Sequence, residues 1–190
     1  TIQTRNAYAF EDLQVGMEAS YARAVTEADI VGFAELSGDK NPVHLDHIYA
    51  AKTMFKERIA HGMLTAGYIS AVFGMEMPGP GAIYVSQTLN FKAPVRIGDM
   101  VEASVEVVEL VEKGRRVKLA CRCRVGDTLV LEGEAMVKVK SEGTGGSSVW
   151  PRATASWPSA GVRQPPRARR RLSQARITRD GSPSPSPSSS

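Results

Sequence analysis

An acid and a histidine stand five positions apart, Asp39 and His44, inside the run Ser37-Gly38-Asp39-Lys40-Asn41-Pro42-Val43-His44-Leu45-Asp46. A carboxylate and an imidazole on one short segment can grip a water between them. The carboxylate raises the water's nucleophilicity, and the imidazole exchanges a proton near neutral pH. Pro42 has a fixed φ and biases Asn41 toward an extended shape, so Asn41-Pro42 stiffens the segment. Gly38 permits a sharp exit from whatever precedes it. The plainer use of the same residues is an Asp that caps a turn and a His satisfied by backbone.

A second place for chemistry is His61-Gly62-Met63, at the head of the most apolar segment of the chain. The first N–H groups of a helix have no internal partner and carry the positive end of its dipole. A glycine there lets a substrate oxygen come close to the backbone, which suits polarisation of a carbonyl. His61 reads as a structural residue orienting the turn before Gly62, and His47 as an exposed residue at a helix start. Cys121 and Cys123 are the only cysteines. Two apart on a strand, they share a face about 7 Å apart, too far for a relaxed disulfide. They read as half-buried thiols in a reducing cytoplasm. Neither metal-ligand spacing nor a phosphate-binding glycine loop is visible, so the reaction is expected to need no cofactor.

The elements that must hold these groups follow from pattern. A strand is expected over Met17 to Val25. Thr26 and Asp29 then form a capping box that opens a helix ending at Gly38. Residues 38–45 are expected as a loop, because Pro42 cannot extend a helix. Asp46 caps a short helix through Thr53. The segment from His61 to Met75 is apolar nearly all round, with small residues interleaved. It reads as a buried helix whose small residues let a surrounding sheet approach. Strands follow at Ala82–Phe91, Asp99–Glu109, Arg116–Val125 and Thr128–Lys140. In the second of these Val101, Ala103, Val105 and Val107 alternate with Glu102, Ser104 and Glu106. A long helix wrapped by one antiparallel sheet, an α+β fold, satisfies this order.

Charge divides the chain in two. The whole carries +4, but residues 141–190 hold eight Arg, no Lys and two acids, leaving residues 1–140 at −2. The basic balance therefore says nothing of a nucleic-acid-binding domain, and no nucleic acid is expected as a partner. Residues 1–141 are expected to be one domain and 142–190 a disordered Arg/Pro/Ser-rich tail, whose isolated apolar residues cannot offset backbone entropy. An out-of-frame reading of GC-rich DNA would encode such a composition; a genuine basic tail touching anionic polymers or membranes is the alternative. No apolar run approaches the 18 or so residues of a membrane span, and the first residues show no signal-peptide core. A cytoplasmic protein with no membrane partner is expected.

The segments Ala34–Asp46, Ile59–Leu64 and Gln87–Val95, with Gly98-Asp99, together resemble the (R)-specific enoyl-CoA hydratases, the MaoC-like or hydratase 2 family, and most of all its short polyester-monomer-supplying members. The resemblance covers about residues 8–140. It implies a hot-dog fold, antiparallel sheet around a long helix, in a homodimer with sites near the subunit interface. It implies reversible addition of water to a trans-2-enoyl-CoA, giving the (R)-3-hydroxyacyl-CoA, with CoA as part of the substrate and no metal. Asp39 and His44 match its catalytic pair and Gly62 its oxyanion donor. Ser70 and Phe73 match positions facing the acyl pocket, a bulky Phe73 favouring short chains, although Ser70 could equally bond back to a carbonyl one turn earlier. Asn41 and Lys92 complete the substrate-binding candidates; Lys40, Lys56, Arg58 and Arg96 are further cations that could meet CoA phosphates. The competing readings are a related dehydratase on another acyl thioester, a non-catalytic acyl-thioester-binding module, and a thioesterase, which needs no Asp-x-Asn-Pro-x-His segment.

Overall fold

The computed structural model of the chain describes residues 7–141. The segment 142–190, expected to be a disordered tail, lies outside the described residues.

Strand β1 (Glu18–Ala24) runs into helix α1 (Glu27–Ser37) through the expected capping box. The Thr26 hydroxyl accepts from the Asp29 N–H at 3.2 Å, and the Asp29 carboxylate accepts from the Thr26 N–H at 2.9 Å. Gly38 ends the helix at φ 79°, its N–H donating to the Ala34 carbonyl at 2.9 Å. A left-handed φ of this kind is what glycine adopts without steric cost.

The stretch 38–45 is not all loop. Pro42–Leu45 forms a helical turn, α2, with Asn41 at its N-cap accepting from the Val43 N–H. Pro42 cannot extend a helix, but it can begin one, because the N–H it lacks would have no intrahelical acceptor there. Asp46 caps α3 (His47–Ala51), its carboxylate accepting from Ile48 and Tyr49, and this helix stops short of Thr53.

Helix α4 (Gly62–Met75) is followed by β2 (Ile83–Gln87), β3 (Asn90–Phe91), β4 (Met100–Val111), β5 (Arg116–Val125) and β6 (Thr128–Lys138). The antiparallel sheet has the order β1-β4-β5-β6-β2, with β3 also paired to β6. The single strand expected over 82–91 is split where Thr88 leaves the ladder. There the Glu134 N–H donates to the Thr88 hydroxyl at 2.9 Å, while Thr88 N–H donates to the Glu134 carbonyl, also at 2.9 Å.

The inner sheet face matches the alternation in sequence. Val101, Ala103, Val105 and Val107 are buried, as are Val117, Leu119, Cys121 and Cys123 on β5. They pack with Ile69, Val72 and Phe73 of α4, which lies against β1, β4 and β5. Each such Val, Leu or Ile side chain contributes about 1.5–3 kcal/mol on burial. This is the hot-dog arrangement. The cysteines, expected half-buried, are fully buried because β5 is a central strand facing the helix. Burial pushes the Cys121 thiol up to about 11 and Cys123 to about 12.

Helix α4 is not covered all round. Thr65, Ala66, Tyr68, Ile69, Val72 and Phe73 face the sheet, whereas Met63, Gly67, Ser70 and Gly74 are exposed. Of the small residues Ala66 packs in the core as expected, whereas Gly67, Ser70 and Gly74 do not admit the sheet. A Cβ built at Gly67 or Gly74 would meet nothing within 4 Å.

Candidate active site

The site grows from three short segments. After Gly38 the chain is held by local bonds: the Asp39 N–H donates to Ser37 Oγ at 3.2 Å, and the Asn41 N–H donates to Asp39 Oδ1 at 3.2 Å. Turn α2 then carries His44. The segment 59–60 is stitched across to 95–96: Ile59 bridges Arg96, and the Ala60 N–H donates to the Val95 carbonyl at 2.7 Å. That fixes the Ile59 carbonyl opposite His44. His61 follows as the N-cap of α4, making no side-chain cap bond.

His44 is buried, and its Nδ1 lies 2.8 Å from the Ile59 carbonyl oxygen. A carbonyl only accepts, so Nδ1 carries the proton and Nε2 keeps its lone pair. Burial, the largest influence, lowers the His44 pKa below its ordinary value; nearby His61 pushes the same way, and the Ile59 bond and Asp39 oppose it. His61 is buried too, its Nε2 2.9 Å from the Asp39 backbone carbonyl. By the same reasoning Nε2–H donates. The two imidazoles stack, centres 3.8 Å apart and planes 30° apart. Among the described residues, one donor atom each of Asp39, His44 and His61 lie within 4.8 Å of one another.

The plain roles weighed from sequence are thus both present: Asp39 caps a turn and His44 bonds to backbone. Each uses part of a side chain and leaves the rest free, one carboxylate oxygen and Nε2. Both residues line a cavity of about 630 Å³ together with Gly62, Phe33, Met54 and Phe91. The head of α4, through Gly62 and Met63, lines the same cavity. The ring of Phe91 lies against Gly62, where an added Cβ would stand 2.7 Å from it.

Of the substrate-binding candidates, Lys92 lines this cavity and pairs with Glu132 at 2.9 Å. Asn41 does not line it; its side chain is used at the N-cap of α2. Ser70 is exposed on the open face of α4, and Phe73 is buried in the core against Tyr84, so neither lines this cavity. Both lie two or more turns beyond Gly62, and Phe73 belongs to the sheet-facing side. Of the other cations, Lys40 pairs with Glu35, Arg58 with Glu27 and Arg96 with Glu57. His47 is exposed, as expected. Thr65 was not singled out by sequence; it lines the cavity, and its hydroxyl is buried without a hydrogen-bond partner among the described residues. Its place three residues after Gly62, on the same helix face, was the available signal. His61 does more than orient a turn, since one side chain touches both Asp39 and His44.

A family model described as a MaoC like domain matches residues 11–133. The chain belongs to the MaoC-like family. This MaoC-like protein is 60% identical over 130 residues to a 3-hydroxybutyryl-CoA dehydratase of Methylorubrum extorquens, covering 68% of this chain and 83% of the relative. It is 54% identical over 134 residues to an (R)-specific enoyl-CoA hydratase of Rhodospirillum rubrum, covering 70% and 93%. Among solved structures, the (R)-hydratase of Aeromonas caviae involved in PHA biosynthesis superposes on the MaoC-like chain with a TM-score of 0.66 at 43% identity, covering 68% of this chain and 98% of that one. The matched portion holds Asp39, His44, His61 and Gly62.

Proposed function

We propose that this MaoC-like protein adds water reversibly across the double bond of a trans-2-enoyl-CoA to give the (R)-3-hydroxyacyl-CoA. The observation that carries the reading is the meeting of Asp39, His44 and the Gly62 end of α4 in one cavity. The names of the relatives agree, and the four-carbon name of the Methylorubrum relative favours a short acyl chain.

The geometry gives each group a part. Asp39 and the His44 Nε2 lone pair hold a water. As its oxygen bonds to C3, one of its protons passes to this pair and the C2=C3 electrons move toward C1. Negative charge collects on the thioester oxygen, where the Gly62 N–H and the positive end of the 14-residue helix α4 receive it. Return of the proton to C2 from the same side completes the addition, with no redox change. Water and proton arriving from one fixed pair give one stereochemical outcome. No cofactor enters this scheme, CoA being part of the substrate, with Lys92 at the cavity wall the cation for its phosphates.

The reading includes a homodimer. Met63, Gly67, Ser70 and Gly74 on α4 are exposed, and so are Ile83, Tyr84 and Val85 on the edge strand β2. A second copy that docks against the chain would cover these residues. Ser70 then faces the partner, where it can serve an acyl pocket shared between subunits. Supply of hydroxyacyl-CoA to polyester synthesis and a cytoplasmic site are the setting we infer. No helix of the described residues is long and apolar enough to cross a membrane.

Loss of crotonyl-CoA absorbance with chiral analysis of the product tests the function. The (R) isomer is expected; the (S) isomer, or release of free CoA, overturns it. Sedimentation of the purified chain tests the dimer, a monomer at micromolar concentration counting against it.

A further inference from the structure

We propose that Met54 is a specificity-determining residue, covered on substrate binding by the pantetheine arm of CoA. The proposal rests on the acyl-CoA reading of the site. Three large apolar side chains stand more than half exposed yet line the cavity of Asp39 and His44: Met54, Met63 and Phe91. A lone apolar residue on a surface needs no explanation, but several around one cavity mark a place where something docks. Two of the three have another use. The Phe91 ring lies against Gly62, and Met63 is among the exposed α4 residues that a second copy would cover. Met54 has neither use, and at 85% it is the most exposed of the three.

The turn that carries Met54 is firmly held. The Thr53 hydroxyl donates to the Ala50 carbonyl at 2.7 Å and accepts from the Phe55 N–H at 3.2 Å. Lys56 follows at φ 65°, a left-handed backbone uncommon in a residue with a side chain. Beyond it the Arg58 guanidinium donates to the Leu45 carbonyl at 3.2 Å, and the Ile59 N–H donates to the Val43 carbonyl at 3.4 Å. The turn is thus tied to α2, the element that carries His44. An unfavourable backbone angle kept in a segment bonded at both ends, beside a site, points to a use for what the segment presents. It presents an apolar thioether.

The part of the substrate that meets Met54 follows from burial. Ala60, Thr65, Val95 and Val130 form a buried wall of the cavity, and Met54 stands on its solvent side. A four-carbon enoyl group has one methyl beyond the carbon that takes the water. The arm is longer and must run from the thioester at Gly62 out to solvent, so the solvent-side residue meets the arm. That arm carries a gem-dimethyl carbon between its polar groups. A flexible, polarisable Met side chain adapts to such a shape.

The test compares the parent, Met54→Ala and Met54→Leu on crotonyl-CoA and on crotonyl-N-acetylcysteamine, a thioester that lacks the gem-dimethyl carbon and the nucleotide. Met54→Ala is expected to raise the KM for crotonyl-CoA roughly five- to tenfold while kcat changes little, the mark of a contact made equally in ground and transition states. The preference for the CoA thioester, as the ratio of the two kcat/KM values, should fall by the same factor, and Met54→Leu should restore most of it. A KM for crotonyl-CoA within error of the parent overturns the proposal. An equal rise on both thioesters also overturns it, by placing Met54 against the acyl group. Dissociation of a parental dimer by Met54→Ala in sedimentation does the same, by making Met54 a subunit contact. Calorimetric binding of butyryl-CoA, which has no double bond to hydrate, separates this proposal from the hydratase reading. Weaker binding by Met54→Ala in a chain that leaves crotonyl-CoA unchanged would keep the arm contact and sink the hydratase. Hydration by the parent, with butyryl-CoA bound equally by Met54→Ala, would keep the hydratase and sink the contact.

Discussion

The imidazole of His61 lies flat against that of His44, ring centres 3.8 Å apart, while its Nε2–H holds the backbone carbonyl of Asp39 at 2.9 Å. One buried side chain thus sets the spacing of the two groups assigned to the water. His61 is expected to act through them as a positioning residue. His61→Phe keeps a ring against His44 but loses the bond to Asp39. Turnover number is expected to fall by up to roughly 10²-fold, the weight of a small misplacement at a reacting centre, with KM little changed. A fall confined to KM, or equal activity, would contradict the positioning role.

Acid should remove activity through His44. Its pKa lies below the ordinary 6.5, chiefly through burial, so His44 stays neutral and able to take a proton down to below that value. The acid limb of the kcat/KM profile is therefore expected below pH 6.5. Stability follows with a defined sign. The unfolded chain takes up this proton at higher pH than the folded chain, so folded stability is lost as pH falls from 6.5 through the folded pKa. Urea midpoints of the parent and His44→Gln at pH 7.5 and about pH 5 check this. The parent should lose more on acidification than the variant; an equal loss would show that other groups carry the effect.

Gly62 and Phe91 are a coupled pair. An alanine Cβ at Gly62 would stand 2.7 Å from the Phe91 ring, and Phe91 is exposed enough to swing aside. Gly62→Ala is expected to fold normally but to lose activity by roughly 10–10²-fold as the ring is pushed from its place over the helix end. Adding Phe91→Ala should restore part of the loss. Strict additivity of the two changes would show that they are independent.

Gly133 has no such latitude. A Cβ there would lie 1.8 Å from the backbone carbonyl oxygen of Thr88, which no side-chain rotation can relieve. Gly133→Ala is expected to destabilise by about 3 kcal/mol through overpacking and the loss of the β2–β6 register. A urea midpoint within error of the parent would contradict this account of the break between β2 and β3.

Much of this was legible in the sequence because it depends on neighbours along the chain. Thr26 and Asp29 announce the start of α1, Gly38 its end, and the Val101–Val107 alternation the buried face of β4. The Asp39–His44 pair was legible too, since five residues and a proline constrain it. The turn at Pro42 was misread because a helix-breaking residue is also a helix-starting one. The open face of α4 was hidden because an apolar helix looks the same whether its last side meets its own sheet or a second chain. The contacts of His61 were out of reach for a further reason. It meets Asp39 across 22 residues, and the meeting depends on Ile59 and Ala60 being tied to Val95 and Arg96 in three dimensions.

The proposed hydration rests on activation of the water by Asp39 with His44. The most direct measurement compares crotonyl-CoA hydration by the parent and by Asp39→Asn, an exchange of one oxygen for nitrogen at an exposed position. A loss of roughly 10²–10⁴-fold in turnover number, with thermal stability unchanged and (R)-3-hydroxybutyryl-CoA as the parental product, is the predicted result. Hydration by Asp39→Asn at the parental rate would contradict it.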